Sequence, residues 1–206
     1  MFIVFEGADG VGKSTQINLF AEHLLINKKS FIKTREPGGT VFGENIRKIF
    51  KDTHLTSTQE LLLVAAARED HLNKVILPNL RKKNIVICDR FIDSTYVYQH
   101  IVGKVPLYFI NQVNNFILEK LIPDLTLVFS CSKLDSIIRL NKDNNIKKDR
   151  FDVLKYDIND AYVKLVKDDI SYPCGRVPRR IIVDSSGTQE TVFKRVKQII
   201  DEELDL

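Results

Sequence analysis

The sequence predicts an α/β protein in three layers, with a parallel five-stranded sheet and helices on both faces. Two observations lead to this prediction. Short apolar segments rich in β-branched side chains recur along the chain, and longer segments with helical spacing separate them. Buried parallel strands appear as short continuous apolar runs, and each needs a crossover helix to reach the next strand. The alternation therefore indicates a parallel sheet wrapped by helices.

The elements follow one another along the whole chain. Strands are predicted at residues 2–5, 30–34, 85–88, 125–129 and 181–183. The second strand has the weakest pattern, because Lys33 interrupts it. Helices are predicted at residues 14–28, 58–82, 107–121, 133–141, 152–168 and 189–203. With no internal repeat or linker, residues 1–206 are expected to form a single domain.

The bulk composition is that of an ordinary globular chain. Of 206 residues, 44% are hydrophobic and 28% are charged, and the net charge is +4. This charge is too small to indicate duplex nucleic acid, but it suits a pocket for polyanionic small molecules. We therefore expect nucleotide partners and no nucleic-acid partner.

The cysteines and the apolar segments bear on localisation. Cys88, Cys131 and Cys174 are odd in number and widely spaced, so neither a disulfide framework nor a zinc site is expected. The apolar stretch at residues 2–5 is far shorter than a signal segment, and no run approaches the roughly 18 residues of a membrane span. We expect a cytoplasmic protein without a membrane partner.

The strongest motif lies at residues 7–14, where G-A-D-G-V-G-K-S fits the pattern G-x-x-x-x-G-K-[ST] between a strand and a helix. In such a phosphate loop, backbone N–H groups surround the phosphates and the helix N-terminus favours negative charge. Lys13 is expected to reach the β- and γ-phosphates, and the Ser14 hydroxyl to bind Mg²⁺. The fold class is thus a three-layer P-loop fold. The predicted ATP-binding residues are Gly7, Ala8, Asp9, Gly10, Val11, Gly12, Lys13, Ser14 and Thr15.

A second carboxylate for Mg²⁺ is predicted at Asp89, which ends the third strand. A carboxylate in this position holds the metal in P-loop enzymes, directly or through water. A strand-end aspartate on its own can also be a turn former or a helix cap. Together with the phosphate loop, Asp89 and Ser14 are the predicted ligands of Mg²⁺, with ATP as the co-substrate.

Four further segments resemble those of thymidylate kinases. They are T-R-E-P-G-G-T at residues 34–40, A-A-R at 66–68, D-R-F-I-D-S-T-Y-V-Y-Q at 89–99 and D-R-F-D at 149–152. With the phosphate loop, they stand in the order of that family and cover almost the whole chain. The resemblance implies transfer of the γ-phosphoryl group of ATP to dTMP, giving dTDP and ADP in dTTP synthesis.

The resemblance also implies roles for individual residues. Asp9 would hydrogen-bond the 3′-hydroxyl of the deoxyribose, and Arg35 and Arg90 would hold the acceptor phosphate. The guanidinium fork suits this task because it can bind two phosphate oxygens at once. Arg68 would bind a carbonyl of the pyrimidine. The base and sugar pocket would be lined by Ser94, Thr95 and Gln99.

Two of these residues have simpler alternatives. Arg68 could be a buried ion-pair partner of Glu69 or Asp70, although adjacent helical residues point apart. Its helix carries an apolar run at residues 61–67, so the helix should be buried and the charge needs a partner, which a bound base or phosphate would supply. Ser94 could cap a helix that begins at Thr95.

A lid is expected at about residues 141–151, a polar and basic segment without periodicity. One branch of the family carries an arginine in the phosphate loop at the place of Gly10, and the other supplies a basic residue from the lid. This chain resembles the second branch. A solvated charged surface would explain the same residues. The predicted catalytic cations are Lys13 and Arg90, with Lys147, Lys148, Arg150 or Arg139 from the lid.

Two positions depart from the family pattern. Val64 stands where the family usually has a phenylalanine that stacks on thymine, and Tyr96 and Val97 replace residues that are commonly smaller. These changes leave the preference of dTMP over dUMP open. Rival functions are a kinase for another nucleoside monophosphate such as dUMP, and an ATP-binding regulatory module without turnover.

The resemblance also suggests a homodimer. Its contact could involve the apolar helices at residues 61–77 and 107–121, although burial in the core would explain the same apolar residues.

Overall fold

The computed structural model describes residues 1–118, 121–142, 158–172, 175 and 177–204. Five strands form the sheet: β1 (Phe2–Gly7), β2 (Phe31–Arg35), β3 (Ile85–Asp89), β4 (Leu125–Ser130) and β5 (Arg180–Asp184). The helices are α1 (Lys13–Ile26), α2 (Val41–Asp52), α3 (Ser57–His71), α4 (Leu77–Arg81), α5 (Ile92–Thr95), α6 (Leu107–Leu118), α7 (Lys133–Lys142), α8 (Ile158–Lys167) and α9 (Gln189–Leu204).

All five strands are parallel, in the order β2-β3-β1-β4-β5. β1 therefore lies at the centre, between the strands that end in Asp89 and Ser130. Asp89 is paired with Phe5 on one side and with Arg35 on the other. This register brings the ends of β1, β2 and β3 together at one edge of the sheet, where open parallel sheets bind ligands.

Alternate side chains of the strands face two separate hydrophobic clusters. Phe2, Val4 and Val86 pack with α3, α6 and α8 on one face, while Ile3 and Phe5 pack with α1 and α9 on the other. Both faces are covered, so the inner strands β1, β3 and β4 are buried and apolar along most of their length, as their short runs in the sequence predict. The predicted three-layer fold is confirmed.

The predicted strands are all present, each extended by a residue or two or shifted by one. The predicted helix at residues 58–82 contains a wider π-type turn at Leu72–Ile76 between α3 and α4. A similar turn, Tyr96–Val102, continues α5. The predicted start of the helix at residue 152 lies outside the described residues.

Two helical segments were not predicted, namely α2 and the segment that α5 begins. Thr40 caps the N-terminus of α2, because its hydroxyl accepts a hydrogen bond from the Gly43 N–H at 2.9 Å. Gly43 weakens the helical pattern in the sequence. A Cβ at this position would lie 2.4 Å from the Gly38 carbonyl oxygen, so close packing of α2 on the preceding turn requires a glycine there.

Within the ranges described, no helix combines the length and the apolar character needed to cross a membrane.

Candidate active site

The phosphate loop connects β1 to α1 as predicted. Gly7 has a φ of +137°, and a Cβ there would lie 2.5 Å from the Phe129 carbonyl oxygen on β4. Gly12 precedes α1 with a φ of +93°. Left-handed backbone at both ends of the loop turns the chain back on itself, which explains the glycine spacing of the motif.

Lys13, the first residue of α1, points back into this loop. Its Nζ donates hydrogen bonds to the carbonyl oxygens of Gly7 at 2.8 Å and Ala8 at 2.7 Å. Burial lowers the pKa of Lys13 to about 8, and the positive charge of Arg90 acts in the same direction. The ammonium group therefore lies against the loop backbone, and phosphate oxygens could replace its carbonyl partners.

This low pKa predicts a pH dependence of ATP capture. Above pH 8 the free enzyme loses the Lys13 proton, so kcat/KM for ATP should fall as the pH rises. Bound phosphates favour the charged lysine and raise its pKa, so kcat should persist to higher pH. Steady-state kinetics across this range test both statements. A constant kcat/KM from pH 8 to the ordinary lysine value of 10.5 would contradict them.

The predicted metal ligands lie beside the loop. Asp89 ends β3, and its Oδ1 is buried without a hydrogen-bond partner among the described residues. The Ser14 side chain is exposed on the first turn of α1. Their oxygen atoms suit Mg²⁺. The described residues contain no group of three or more His, Cys, Asp or Glu residues placed to bind a metal.

Arg90 lies at the centre of the site. Its backbone is left-handed, with a φ of +69°, and its N–H donates to the Phe5 carbonyl at 2.9 Å. Its Nη2 donates to Asp9 Oδ1 at 2.6 Å, and this guanidinium holds the pKa of Asp9 below its usual range. Strained backbone in a non-glycine residue is often found at functional sites. Two residues predicted to contact the acceptor, Asp9 and Arg90, are thus in direct contact.

Glu6 is a site residue that the sequence analysis missed. It is fully buried at the end of β1, and its Oε1 accepts the backbone N–H of Phe91 at 2.7 Å and of Ser94 at 3.2 Å. N–H groups at the start of a helix have no partner within the helix, so the Glu6 carboxylate on β1 acts as the cap of α5. Burial raises the pKa of Glu6, Asp93 adds to this, and Arg90 opposes it.

The structure also tests the alternative in which Ser94 caps a helix. Helix α5 begins at Ile92, so Ser94 lies within its first turn and does not cap a helix starting at Thr95. The Ser94 hydroxyl instead donates to Glu6 Oε2 at 2.7 Å and accepts from Arg90 at 3.3 Å. The capping alternative for Ser94 is therefore wrong.

Arg68 is fully buried on α3, with 1% of its surface exposed. It pairs with Glu36 of the turn after β2, Nε to Oε2, at 2.7 Å. Glu69 and Asp70, the partners considered in the sequence analysis, are not its partners. The guanidinium also donates to Asn114 Oδ1 at 3.1 Å, Thr95 Oγ1 at 3.1 Å and the Phe91 carbonyl at 3.0 Å.

The same carboxylate holds a buried histidine. Glu36 Oε1 lies 3.0 Å from His71 Nδ1, and His71 Nε2 lies 2.6 Å from the Thr34 hydroxyl. One chain of contacts thus joins the end of β2 through His71 and Glu36 to Arg68. This network fixes the guanidinium beside Thr95, one of the predicted pocket residues.

Arg35 and a further arginine lie near the end of β2. Arg35 is half exposed and pairs with Glu44 of α2 at 2.8 Å. Arg47, also on α2, donates to the Pro37 carbonyl at 3.2 Å. Burial lowers the pKa of Arg47, and the charge of Arg35 adds to this effect. Arg47 was not predicted, because the helix that carries it was missed.

The remaining predicted pocket residues lie on the helical segment 92–102. Gln99 is buried and donates to Glu60 Oε2 at 2.9 Å. Val64 lies one turn before Arg68 on α3 and is buried, as are Tyr96 and Val97. The residues predicted for the base pocket thus lie on α3 and on the segment after Asp89, which contact each other.

The lid prediction is only partly covered by the structure. Lys147, Lys148 and Arg150 lie outside the described residues. Arg139 of α7 is described and donates to the carbonyl of Val11 in the phosphate loop at 3.2 Å. It also donates to the Ser185 carbonyl after β5 at 2.7 Å. Arg139 therefore lies against the loop backbone, between the loop and the end of β5.

One edge of the parallel sheet carries the phosphate loop with its lysine, a strand-end aspartate and several arginines. This combination defines a P-loop phosphotransferase whose acceptor carries negative charge.

Comparison with known proteins identifies the family within this class. The family model described as thymidylate kinase matches residues 5–172. The chain belongs to the thymidylate kinase family, whose members are ATP-dependent nucleotide kinases.

Individual relatives match most or nearly all of the chain. The thymidylate kinase of Symbiobacterium thermophilum is 36% identical over 208 residues, covering 99% of this chain and 94% of that protein. That of Acholeplasma laidlawii is 41% identical over 156 residues, covering 74% and 76%. A crystal structure of thymidylate kinase from Ehrlichia chaffeensis matches with a TM-score of 0.73 and 32% identity over 98% of both chains.

Proposed function

We propose that this protein transfers the γ-phosphoryl group of ATP to dTMP, using Mg²⁺, as one kinase domain spanning residues 1–206. The observation that carries the proposal is the contact between Arg90 and Asp9 at 2.6 Å. In this contact the guanidinium of Arg90 lies beside a residue of the phosphate loop, which supports a site where donor and acceptor meet across one pair of side chains.

The chemistry requires no general base. A nucleoside monophosphate at neutral pH already offers an ionised phosphate oxygen, so catalysis consists of alignment and charge stabilisation. Lys13 would contact the donor phosphates, and Arg90 would orient the acceptor phosphate. Arg35 and Arg47 flank the same edge of the sheet and supply further positive charge for the acceptor.

The metal and the lid belong to the same proposal. Asp89 and Ser14 would hold Mg²⁺, whose charge stabilises the phosphoryl group as it transfers. The lid at residues 141–151 would close over both nucleotides and exclude water. The cytoplasm, where both nucleotides are available, is the proposed location.

The acceptor is tested by a coupled spectrophotometric assay with ATP and Mg²⁺. Initial rates are compared for dTMP, dUMP, dCMP, dGMP, AMP and thymidine at equal concentrations. We expect the highest rate with dTMP and no rate with thymidine, because its neutral hydroxyl would need a carboxylate base. A faster rate with another monophosphate would overturn the base assignment. ATP binding without turnover of any acceptor would favour a regulatory module.

We further propose that the protein is a homodimer through α2, α3 and α6. These helices pack beside one another and expose large apolar side chains. A hollow of about 560 Å³ opens between them. Large apolar side chains exposed on neighbouring helices are a common feature of protein–protein contact surfaces. The exposed residues are Val41, Phe42, Leu62, Tyr108 and Phe116.

The substitution Phe116→Glu should convert the dimer to a monomer. Phe116 is 88% exposed, so a charge there costs little in the isolated chain but is unfavourable in an apolar contact. Sedimentation velocity of the wild type and the variant measures the change. Leu25→Glu is the matched control, because Leu25 is 64% exposed on α1, away from these helices. A monomeric wild type, or an unchanged dimer in the variant, would contradict the proposal.

A further inference from the structure

A buried tyrosine far along the chain contacts Arg90. Tyr162 lies on α8 and is fully buried. Its hydroxyl oxygen is 2.9 Å from Arg90 Nη1, 2.7 Å from Ser94 Oγ and 3.0 Å from Glu6 Oε2. These partners belong to the turn after β3, to α5 and to β1. One hydroxyl group thus connects three parts of the site.

The donor and acceptor roles of this hydroxyl follow from its neighbours. A guanidinium only donates, so Tyr162 accepts from Arg90. The Tyr162 hydroxyl has one proton, which it donates to Glu6 Oε2 at 3.0 Å or to Ser94 Oγ at 2.7 Å. Ser94 also accepts from Arg90, and it donates its own proton to Glu6 Oε2 at 2.7 Å. Arg90 is therefore joined through two hydroxyl groups to a carboxylate anchored at the start of α5.

These contacts restrict the guanidinium of Arg90 from several sides. Nη1 is bound by Tyr162 and Ser94, while Nη2 is bound by Asp9. The guanidinium carbon also lies 5.4 Å from the centre of the Tyr98 ring. An arginine side chain loses much rotational freedom when it binds a ligand, and contacts that fix it beforehand reduce this cost.

We propose that Tyr162 is a positioning residue, whose hydroxyl holds Arg90 in the orientation that binds the acceptor phosphate. The inference rests on the proposed function, in which Arg90 contacts the phosphate of dTMP. The ring of Tyr162 packs in the core and makes an edge contact with Tyr98. Its hydroxyl has the separate task of orienting a charged group.

The substitution Tyr162→Phe separates these two contributions, since it keeps the ring and removes the hydroxyl. Loss of a hydrogen bond to a charged group should raise KM for dTMP about tenfold, while KM for ATP changes less than about twofold. Initial-rate kinetics with each substrate varied in turn measure the split. Equal rises in both constants, or no rise in KM for dTMP, would overturn the inference.

The chain provides a matched control in Tyr172. Its ring is also buried, but its hydroxyl has no hydrogen-bond partner among the described residues. Tyr172→Phe should leave both KM values unchanged, because the substitution removes no hydrogen bond to a described residue. If this variant showed the same rise in KM for dTMP, the effect would follow from core packing and the inference would be wrong.

A double-mutant cycle tests whether Tyr162 acts through Arg90. The dissociation constant of dTMP is measured by calorimetry for the wild type, Tyr162→Phe, Arg90→Lys and the double variant. Because the lysine no longer offers the guanidinium that Tyr162 orients, adding Tyr162→Phe to Arg90→Lys should weaken binding less than about twofold. A full tenfold loss in both backgrounds would indicate an independent, structural role.

The outcomes also separate this inference from the proposed function. A wild type that neither binds nor phosphorylates dTMP would remove the proposed function. A wild type that phosphorylates dTMP, with unchanged KM in Tyr162→Phe, would leave the function standing and remove only the role of Tyr162.

Discussion

Replacing Lys13 with alanine should lower kcat about a thousandfold or more while the fold remains intact. The ammonium group contacts the carbonyl oxygens of Gly7 and Ala8 in the free protein. Without it, the charge on the transferred phosphoryl group loses a fixed cation.

The measurement is the coupled assay with ATP and dTMP, together with circular dichroism of each protein. Lys164→Ala is the matched control, because Lys164 is exposed on α8 and should leave kcat unchanged. Alanine at position 13 also removes a desolvated charge, so the variant should be at least as stable as the wild type. Full activity in the Lys13 variant would remove the assignment of the phosphate loop.

The second large effect is expected on stability. Replacing Arg68 with alanine should lower the free energy of unfolding by about 3–5 kcal/mol, since it leaves the buried carboxylate of Glu36 without its cation. Both side chains of the Arg68–Glu36 pair are buried, with 1% of Arg68 and 4% of Glu36 exposed. Three further hydrogen bonds of the guanidinium are lost as well.

Urea unfolding followed by circular dichroism measures this change. Lys197→Ala is the control for an ordinary ion pair, because Lys197 and Asp201 pair on the surface of α9. Such exposed pairs contribute less than about 1 kcal/mol. A loss of stability in Arg68→Ala no larger than in this control would show that the network around Glu36 is unimportant for folding.

Much of the fold could be predicted because its signals are local. Four strands are apolar runs, and the phosphate loop has a fixed spacing that the strand and helix on either side confirm. Asp89 could be predicted as a metal ligand because it stands at the end of β3. Such features depend on residues close together in the chain. There, the spacing of apolar side chains directly reflects the geometry of a strand or a helix.

The missing parts depend on contacts between distant residues. Tyr162 lies 72 residues from Arg90 and 156 from Glu6, and in the sequence it is one apolar position of an amphipathic helix. The start of α5 has no cap of its own, because Glu6 supplies it from β1. Glu6 did leave one signal, since a carboxylate at the end of a fully buried strand requires partners.

Arg68 shows where a correct pattern gave an incomplete interpretation. Burial of its helix indicated that the charge needs a partner, and this is confirmed. The partner, Glu36, lies 32 residues earlier in the turn after β2. Helical geometry could exclude the adjacent acidic residues, but it could not identify a carboxylate on another element.

The most direct test of the central claim is identification of the products by ³¹P NMR after incubation with ATP, Mg²⁺ and dTMP. We expect equal amounts of dTDP and ADP, no dTDP when ATP is omitted, and about a thousandfold slower formation of dTDP with Lys13→Ala. Release of ADP and free phosphate without dTDP, or no consumption of ATP, would contradict it.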